Sequence, residues 1–506
     1  MPISPDYDHF AATYEKGEAQ IVLTRLVADL ETPVSAMLKL TRNTQYSFLL
    51  ESVEGGAVRG RYSIIGMNPD LIWKVESGSA SLNRKALLNA DGPFETVSLA
   101  PLESLRAVLA ESCIALPVDA PPMAAGVFGY IGYDMVRLME ELPEPNPDTL
   151  GLPDGMMIRP TVMAIFDSVR DEVTVTSPVY FEKGVSAKAA YARALDRISE
   201  VVDALDRPLD HLATQDIDAP PIAATTSNTK PEEYGDMIAA AKNYITAGDI
   251  FQVVLSQRFE TKFTLPPFAL YRSLRRVNPS PFLYYLDFDK FAIIGSSPEI
   301  LVRVRDGKVT IRPIAGTRRR GQTATEDKAL AAELLADPKE CAEHLMLLDL
   351  GRNDVGRVAE IGSIKVTEKF MIENYSHVMH IVSNVEGRLD KKYDVIDALV
   401  AGFPAGTVSG APKVRAMEII DELEKNKRGV YGGCVGYFSA DGEMDTCIVL
   451  RTAIVKDGRM YVQAGAGIVA DSVPASEQEE CVNKAKALFR AADEAVRFAG
   501  RAGRAQ

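Results

Sequence analysis

Along the first two hundred residues, short apolar-rich runs alternate with breaks at Gly, Pro and Asp. The runs Ser47–Ser52, Ser63–Gly66, Thr161–Phe166 and Glu172–Val175 read as strands, and Leu102–Ser112 and Ser186–Leu205 read as helices between them. The stretch Asp206–Lys230 is rich in Pro, Asp, Ala and Thr and has no sustained periodicity, which marks a linker. After it, Pro231–Ala247 places Met237, Ile238, Ala241, Tyr244 and Ile245 at helical spacing. Strands are predicted at Ile250–Arg258, Phe282–Phe288, Phe291–Gly295, Ile300–Arg305 and Val309–Pro313. Helices are predicted at Thr325–Leu335, Lys339–Leu350 and Ala475–Phe498. The short turns Arg305-Asp306-Gly307-Lys308 and Lys456-Asp457-Gly458-Arg459 favour antiparallel hairpins over a doubly wound parallel sheet. The expected class is α+β, with large antiparallel sheets carrying packed helices. The chain divides into an N-terminal region (1–205), a linker (206–230), a second domain (231–498) and a frayed tail (499–506).

Composition narrows the function. Apolar residues make up 46% and charged residues 25% of the 506, as in a soluble globular enzyme. A net charge of −14 argues against nucleic acid as a partner, and it means that an anionic substrate needs a local positive site or a metal. The five cysteines are scattered and never spaced as CxxC, so neither a disulfide framework nor a zinc site is expected. No basic-then-apolar leader and no apolar run of ~20 residues is visible, so a cytoplasmic protein away from membranes is expected.

The richest chemistry lies between Tyr431 and Lys484. Tyr431-Gly432-Gly433, Arg451, Gly465-Ala466-Gly467, and Glu477 and Glu480 ahead of Lys484 suit a small, doubly anionic molecule beside a hard cation. Plainer explanations stand beside this one. Glu480 and Lys484 are spaced for an ordinary i,i+4 ion pair. Glu343 shares a helical face with Met346, Leu347 and Leu350, so it is either paired, for example with Lys339, or a metal ligand. In Gly402–Lys413, the part Gly406–Gly410 can present amides and the Thr407 hydroxyl at a helix N-terminus, or simply form a turn capped near Ser409. Pro313–Arg320 reads as a strand end entering a basic loop, where Gly316 and Thr317 can meet a ligand. His380 lies on an apolar strand face, as a core histidine or a proton carrier. Glu299 follows a strand end, as a turn residue or a general acid.

Taken together, nine ordered segments resemble the chorismate-utilising enzymes, most closely the anthranilate synthase component I family. They are FQVVLSQR (251–258), GSSPE (295–299), PIAGTRRR (313–320), ECAEHLMLLDLGRND (340–354), HVMHIVS (377–383), GTVSGAPK (406–413), YGGCVGYF (431–438), QAGAGIVADSVP (463–474) and EQEECVNKA (477–485). The resemblance implies an α/β/β/α sandwich with chorismate bound in 231–498. It implies Mg²⁺ on Glu343 and Glu480 with Glu477 close by. Tyr431, Arg451 and the Gly465, Ala466 and Gly467 amides would hold the enolpyruvyl carboxylate, with Lys484 also at the substrate. Gly316 and Thr317 would line the site, and Thr407 and Gln252 would lie near the reacting ring. Glu299 and His380 share the acid and proton-shuttle roles in either order.

Two positions discriminate among relatives. Ala315 stands where aminodeoxychorismate synthases usually carry a nucleophilic lysine, and Gln252 stands where water-using relatives usually carry a lysine base. Ammonia is therefore the expected nucleophile, and anthranilate and pyruvate the expected products. Leu49-Leu50-Glu51-Ser52 and Asn278-Pro279-Ser280-Pro281 resemble the family's tryptophan-feedback motif. The chain has no Cys in a Gly-x-Cys-x-Gly elbow with a downstream His and Glu, since no histidine follows Gly432–Gly436, so glutamine use implies a separate amidotransferase, component II, in a heterotetramer. Aminodeoxychorismate synthase component I and a catalytically silent tryptophan-binding regulator are the alternatives.

Overall fold

The computed structural model describes residues 2–42, 44–54, 58–209, 222–375 and 378–499. Of the expected linker, 210–221 lie outside the described residues, as do 500–506 of the expected tail.

Helix and strand positions follow the periodicity closely. The helices Ala187–Asp206, Pro231–Ala247, Ala324–Ala336, Pro338–Gly356 and Pro474–Ala499 all form, as do the strands Phe282–Asp287, Phe291–Ser297 and Ile300–Arg305. Pro231 opens its helix at the first turn, and Gly248 closes it with φ +88°, a left-handed conformation that glycine adopts without steric cost.

Antiparallel pairing links the strands into two sheet sections that share one long pair, Val58–Glu76 against Gly155–Asp167. The first section runs from this pair through Ser47–Glu54, Phe282–Asp287, Phe291–Ser297, Thr452–Lys456 and Arg459–Ile468 to Gln252–Lys262. The second runs through Gly126–Ile131, Cys434–Ser439, Met444–Ile448, Ile300–Arg305 and Lys308–Ile311 to Val378–Arg388. Both sections pair strands from 1–205 with strands beyond 230, so the two regions share their sheet.

Alternation along each strand feeds two cores at once. In Phe291–Ser297, Ala292 and Ile294 pack under helices, whereas Phe291 and Ile293 enter a core made mostly by strand residues of both sections. A third core joins the far face of the second section to the helices Pro101–Glu111, Pro338–Gly356 and Val395–Gly402. The layers are helices, sheet, sheet, helices. Burial on both faces explains why these strands read as nearly continuous apolar runs.

The last helix departs from simple pattern reading. Its core stripe is Cys481, Ala485, Leu488, Ala492 and Ala495, while Val482 is 42% exposed. Spacing along the sequence favours a stripe of Val482, Ala485, Phe489, Ala492 and Val496, and packing against Pro267–Val277 and Arg459–Ile468 sets the face that is buried instead.

Candidate active site

Gln252 opens the strand Gln252–Lys262, and the neighbouring strand sets Gly467 opposite Val254 and Gly465 opposite Ser256. Alternation sends the methyl of Ala466 into the helical core on the other face, so Ala466 has only its backbone to offer. The two glycines supply space. A Cβ on Gly467 would lie 2.3 Å from Gln252 Nε2, and one on Gly465 would lie 2.9 Å from the Tyr431 hydroxyl. The Gln252 side chain lies close enough to the Glu343 carboxylate to favour its charged form, and its Oε1 is buried without a partner among the described residues.

Glu343 is half-buried on the helix Pro338–Gly356. Burial, then the charges of Glu340 and Glu480, raise its pKa, while Lys484 and the nearby Gln252 amide oppose the rise. Lys339 makes no ion pair with it among the described residues; its charge acts on Glu477 instead. From the last helix, Glu480 pairs with Lys484 at 2.7 Å, and Lys484 Nζ also donates to the Gly465 carbonyl at 2.9 Å. The ordinary i,i+4 pair therefore forms, yet it sits inside the cluster. Burial and Glu480 likewise raise Glu477. Among the described residues, no three His, Cys, Asp or Glu side chains gather tightly enough to enclose an ion. What the helices supply is mutually repelling carboxylates with one lysine to offset them. That donor set fits Mg²⁺, which commonly takes one or two protein carboxylates and completes its shell with water and substrate.

A second group, around Glu299 and His380, is linked to the first by the charge of Lys484, which reaches His380. Glu299, 4% exposed, lies between Phe291–Ser297 and Ile300–Arg305. Its Oε1 accepts from the Thr407 hydroxyl at 2.9 Å and from the Ile314 N–H at 3.4 Å. Burial pushes this carboxyl up to about 8 against both bonds and the charge of Arg451. His380 is pushed down to about 4, first by burial and then by Arg451. Its Nδ1 lies 3.1 Å from both the Gly316 carbonyl and the Thr317 hydroxyl. Gly316, at φ +69°, sits at a register shift between Ala315 and Thr317, and this bulge turns both groups toward the histidine. The rings of Tyr375 and His380 meet edge-on, with centroids 5.2 Å apart.

Arg451 has φ +49° and is half-buried; desolvation lowers its pKa against the opposing influence of Tyr375 and Glu299. It forms no ion pair among the described residues. A cation partly withdrawn from water without a carboxylate carries a cost that an incoming anion removes.

Two sequence expectations change. Thr407 lies in a separate 3₁₀ turn, Gly406–Val408, and Gly410–Ala411 pairs as a short strand with Gln252–Val253. The run 406–410 thus presents no helix N-terminus. The helix Lys413–Leu423 begins after Pro412, and the Ser409 hydroxyl bonds the Ala405 carbonyl instead of capping it. The arginines after Thr317 are not a solvated loop either. Arg318 pairs with Glu333, Asp337 and Glu340, Arg319 with Glu326, and Arg320 with Asp327. Glu340, which also accepts the Thr317 N–H at 3.3 Å, escaped sequence reading although it lies one helical turn before Glu343. Tyr375 carried no sequence signal.

The residues of the feedback-like motif gather elsewhere. Glu51 and Ser52 border two adjoining cavities of about 1000 and 440 Å³; Pro281 lines the larger and Pro279 the smaller. Asn278 and Ser280 line neither: the Asn278 carbonyl accepts from Ser296, and Ser280 is buried. The Glu51 carboxylate is already taken by Arg275 at 2.6 and 3.0 Å, Tyr271 at 2.5 Å and Ser63 at 3.2 Å.

Known proteins share this architecture and sequence. The chorismate binding enzyme family matches residues 67–490. Anthranilate synthase component 1 of Cereibacter sphaeroides is 57% identical over 498 residues, covering 98% of this chain and 99% of that protein. Its counterpart in Aquifex aeolicus is 47% identical over 469 residues, covering 92% and 93%. The crystal structure of anthranilate synthase component I from Streptococcus pneumoniae superposes with a TM-score of 0.74 at 40% identity, covering 85% of this chain and 92% of that one. The isochorismate synthase MenF from Escherichia coli shares the fold, with a TM-score of 0.70 at 19% identity over 95% and 99% of the two chains.

Proposed function

The chain belongs to the family of chorismate binding enzymes, and from that membership we propose that it converts chorismate and ammonia to anthranilate, pyruvate and water, as an anthranilate synthase component 1. One observation carries the mechanism: a half-buried Arg451, without a carboxylate partner among the described residues, lies within charge range of Glu299, an acid held protonated at neutral pH. An anion site beside a proton donor is what loss of a hydroxyl from a dicarboxylate requires.

Arg451, Tyr431 and the backbone of Gly465–Gly467 hold the enolpyruvyl carboxylate, with Lys484 beside them. Glu343 and Glu480, with Glu477 near, hold Mg²⁺, which when bound supplies Lewis-acid neutralisation and orientation of the ring carboxylate. Ammonia adds at ring C2 as Glu299 gives its proton to the departing C4 hydroxyl, and the Thr407 hydroxyl keeps the carboxyl oriented. His380 is neutral at pH 7, and with Nδ1–H donated to the Gly316 carbonyl its Nε2 keeps a lone pair. It is thus suited to take the C2 proton as pyruvate leaves and the ring becomes aromatic. Gln252 is no base for activating water, and its unpartnered Oε1 is an acceptor for ammonia N–H.

Glutamine-derived ammonia comes from a component II amidotransferase, in a heterotetramer. Tryptophan inhibits from the 1000 Å³ cavity. In support, that cavity is lined by Pro298 and Ile300 on either side of Glu299, by Ile314, which donates to Glu299, and by Tyr375, which packs on His380.

The test is to incubate the chain with chorismate, Mg²⁺ and ammonium. Anthranilate fluorescence is expected. A 4-amino product would make it an aminodeoxychorismate synthase, and no product would make it a silent regulator. Glutamine alone is expected to give no turnover.

A further inference from the structure

Behind the substrate-facing residues lies a buried ion pair that none of them includes. Arg428 is 2% and Glu424 5% exposed. Arg428 Nε and Nη2 fork onto the Glu424 carboxylate at 3.0 and 2.6 Å. Its other bonds leave the pair: Nη1 donates to the Val408 carbonyl at 2.6 Å, and Nη2 to the Val254 carbonyl at 2.7 Å. The guanidinium lies over the rings of Tyr133 and Tyr431, 4.7 and 5.5 Å from their centroids. Glu424 Oε1 in turn accepts from both the N–H and the hydroxyl of Ser256, each at 2.8 Å.

Every one of these contacts but the Tyr133 ring reaches a segment that carries a site group. Val408 follows Thr407, Val254 lies two residues past Gln252, Ser256 faces Gly465 across the sheet, and Tyr431 is touched directly. We propose that the Glu424–Arg428 pair is a positioning element that clamps Gln252, Thr407, Tyr431 and Gly465 at the spacing chorismate needs. The inference rests on the function proposed above. A pair serving the fold alone is replaceable by apolar residues of similar volume, often without loss of stability. Apolar residues cannot hold two carbonyls and a serine in fixed directions, and a planar guanidinium does so better than an ammonium.

The variants Arg428→Lys and Glu424→Gln test it, each compared with wild type by thermal melting, steady-state kinetics and a pH profile. The expected result is a cooperatively folded protein whose KM for chorismate rises about tenfold or more, with kcat reduced less. In addition, loosening Val408 lets the Thr407 hydroxyl leave Glu299, so the alkaline limb of the kcat/KM profile moves to higher pH. A folded variant with wild-type KM and an unmoved limb overturns the proposal. So does activity lost only in proportion to folded protein. If wild type itself makes no anthranilate, the functional reading fails, and chorismate affinity measured by calorimetry judges the clamp: tenfold weaker binding by the variants supports it, and equal binding overturns it.

Discussion

Gln252 occupies the space that any side chain on Gly467 would need: a Cβ there would lie 2.3 Å from Gln252 Nε2. The glycine is what allows that amide to lie across the strand and reach Glu343. Gly467→Ala is therefore expected to push Gln252 aside and lower kcat/KM for ammonium on the order of 10²-fold, the usual cost of misplacing a reacting partner by about an ångström. Kinetics at saturating chorismate with ammonium varied check this. Unchanged ammonium kinetics would leave Gln252 no part in nucleophile binding.

Glu299→Gln removes the proton but keeps the Thr407 contact. A general acid typically contributes ~10²–10⁴-fold, so kcat falls by that order while KM for chorismate stays within about threefold. Glu299 acts protonated and its carboxyl is pushed up to about 8, so wild-type kcat/KM declines as pH rises through that value, and this limb is absent from the residual activity of the variant. An equal loss in binding would make Glu299 a positioning group.

Glu343 carries like-charged neighbours that a divalent ion relieves. Stripping divalent ions with a chelator is expected to abolish turnover, and Mg²⁺ to restore it. Glu343→Gln removes one repelling charge, so the ion-free variant melts no lower than ion-free wild type, but its half-saturating Mg²⁺ concentration rises at least tenfold. Melting curves and Mg²⁺ titrations measure both. Full activity without the ion would remove the metal from the mechanism.

Ser52 borders both cavities, whereas the Glu51 carboxylate is committed to Arg275 and Tyr271. Ser52→Ala is expected to raise the tryptophan concentration for half-inhibition several-fold with kcat and KM preserved, within the ~1–3 kcal/mol typical of coupling between sites. Glu51→Ala leaves a mostly buried arginine unpaired, so it lowers the melting temperature as well. Inhibition assays and melting curves separate the two variants. Full tryptophan sensitivity in Ser52→Ala would place the feedback site elsewhere.

Much of this was legible beforehand because its signals are local. The helix Pro231–Ala247 declares itself by spacing, an opening proline and a closing glycine, and hairpins declare themselves by Asp-Gly turns. Motif residues such as Glu299, Thr317, Thr407 and Arg451 stand out by type, and the structure brings Glu299 to Thr407 and His380 to Thr317. Local signals failed where a long-range partner decided the outcome. Gly410–Ala411 became a strand because Gln252–Val253 lies beside it, and the arginines after Thr317 found carboxylates on the helices Ala324–Ala336 and Pro338–Gly356.

The amino-acid order by itself determined many of the helices and strands and the antiparallel class, since these follow from periodicity and turn residues, and its motifs marked the side chains with the right chemistry through their family resemblance. Only the tertiary structure decided their ionisation and reach. Glu299 is an acid and His380 a neutral ring because both are desolvated by residues far away in the chain. Burial is a property of the assembled layers, and no window of sequence contains it.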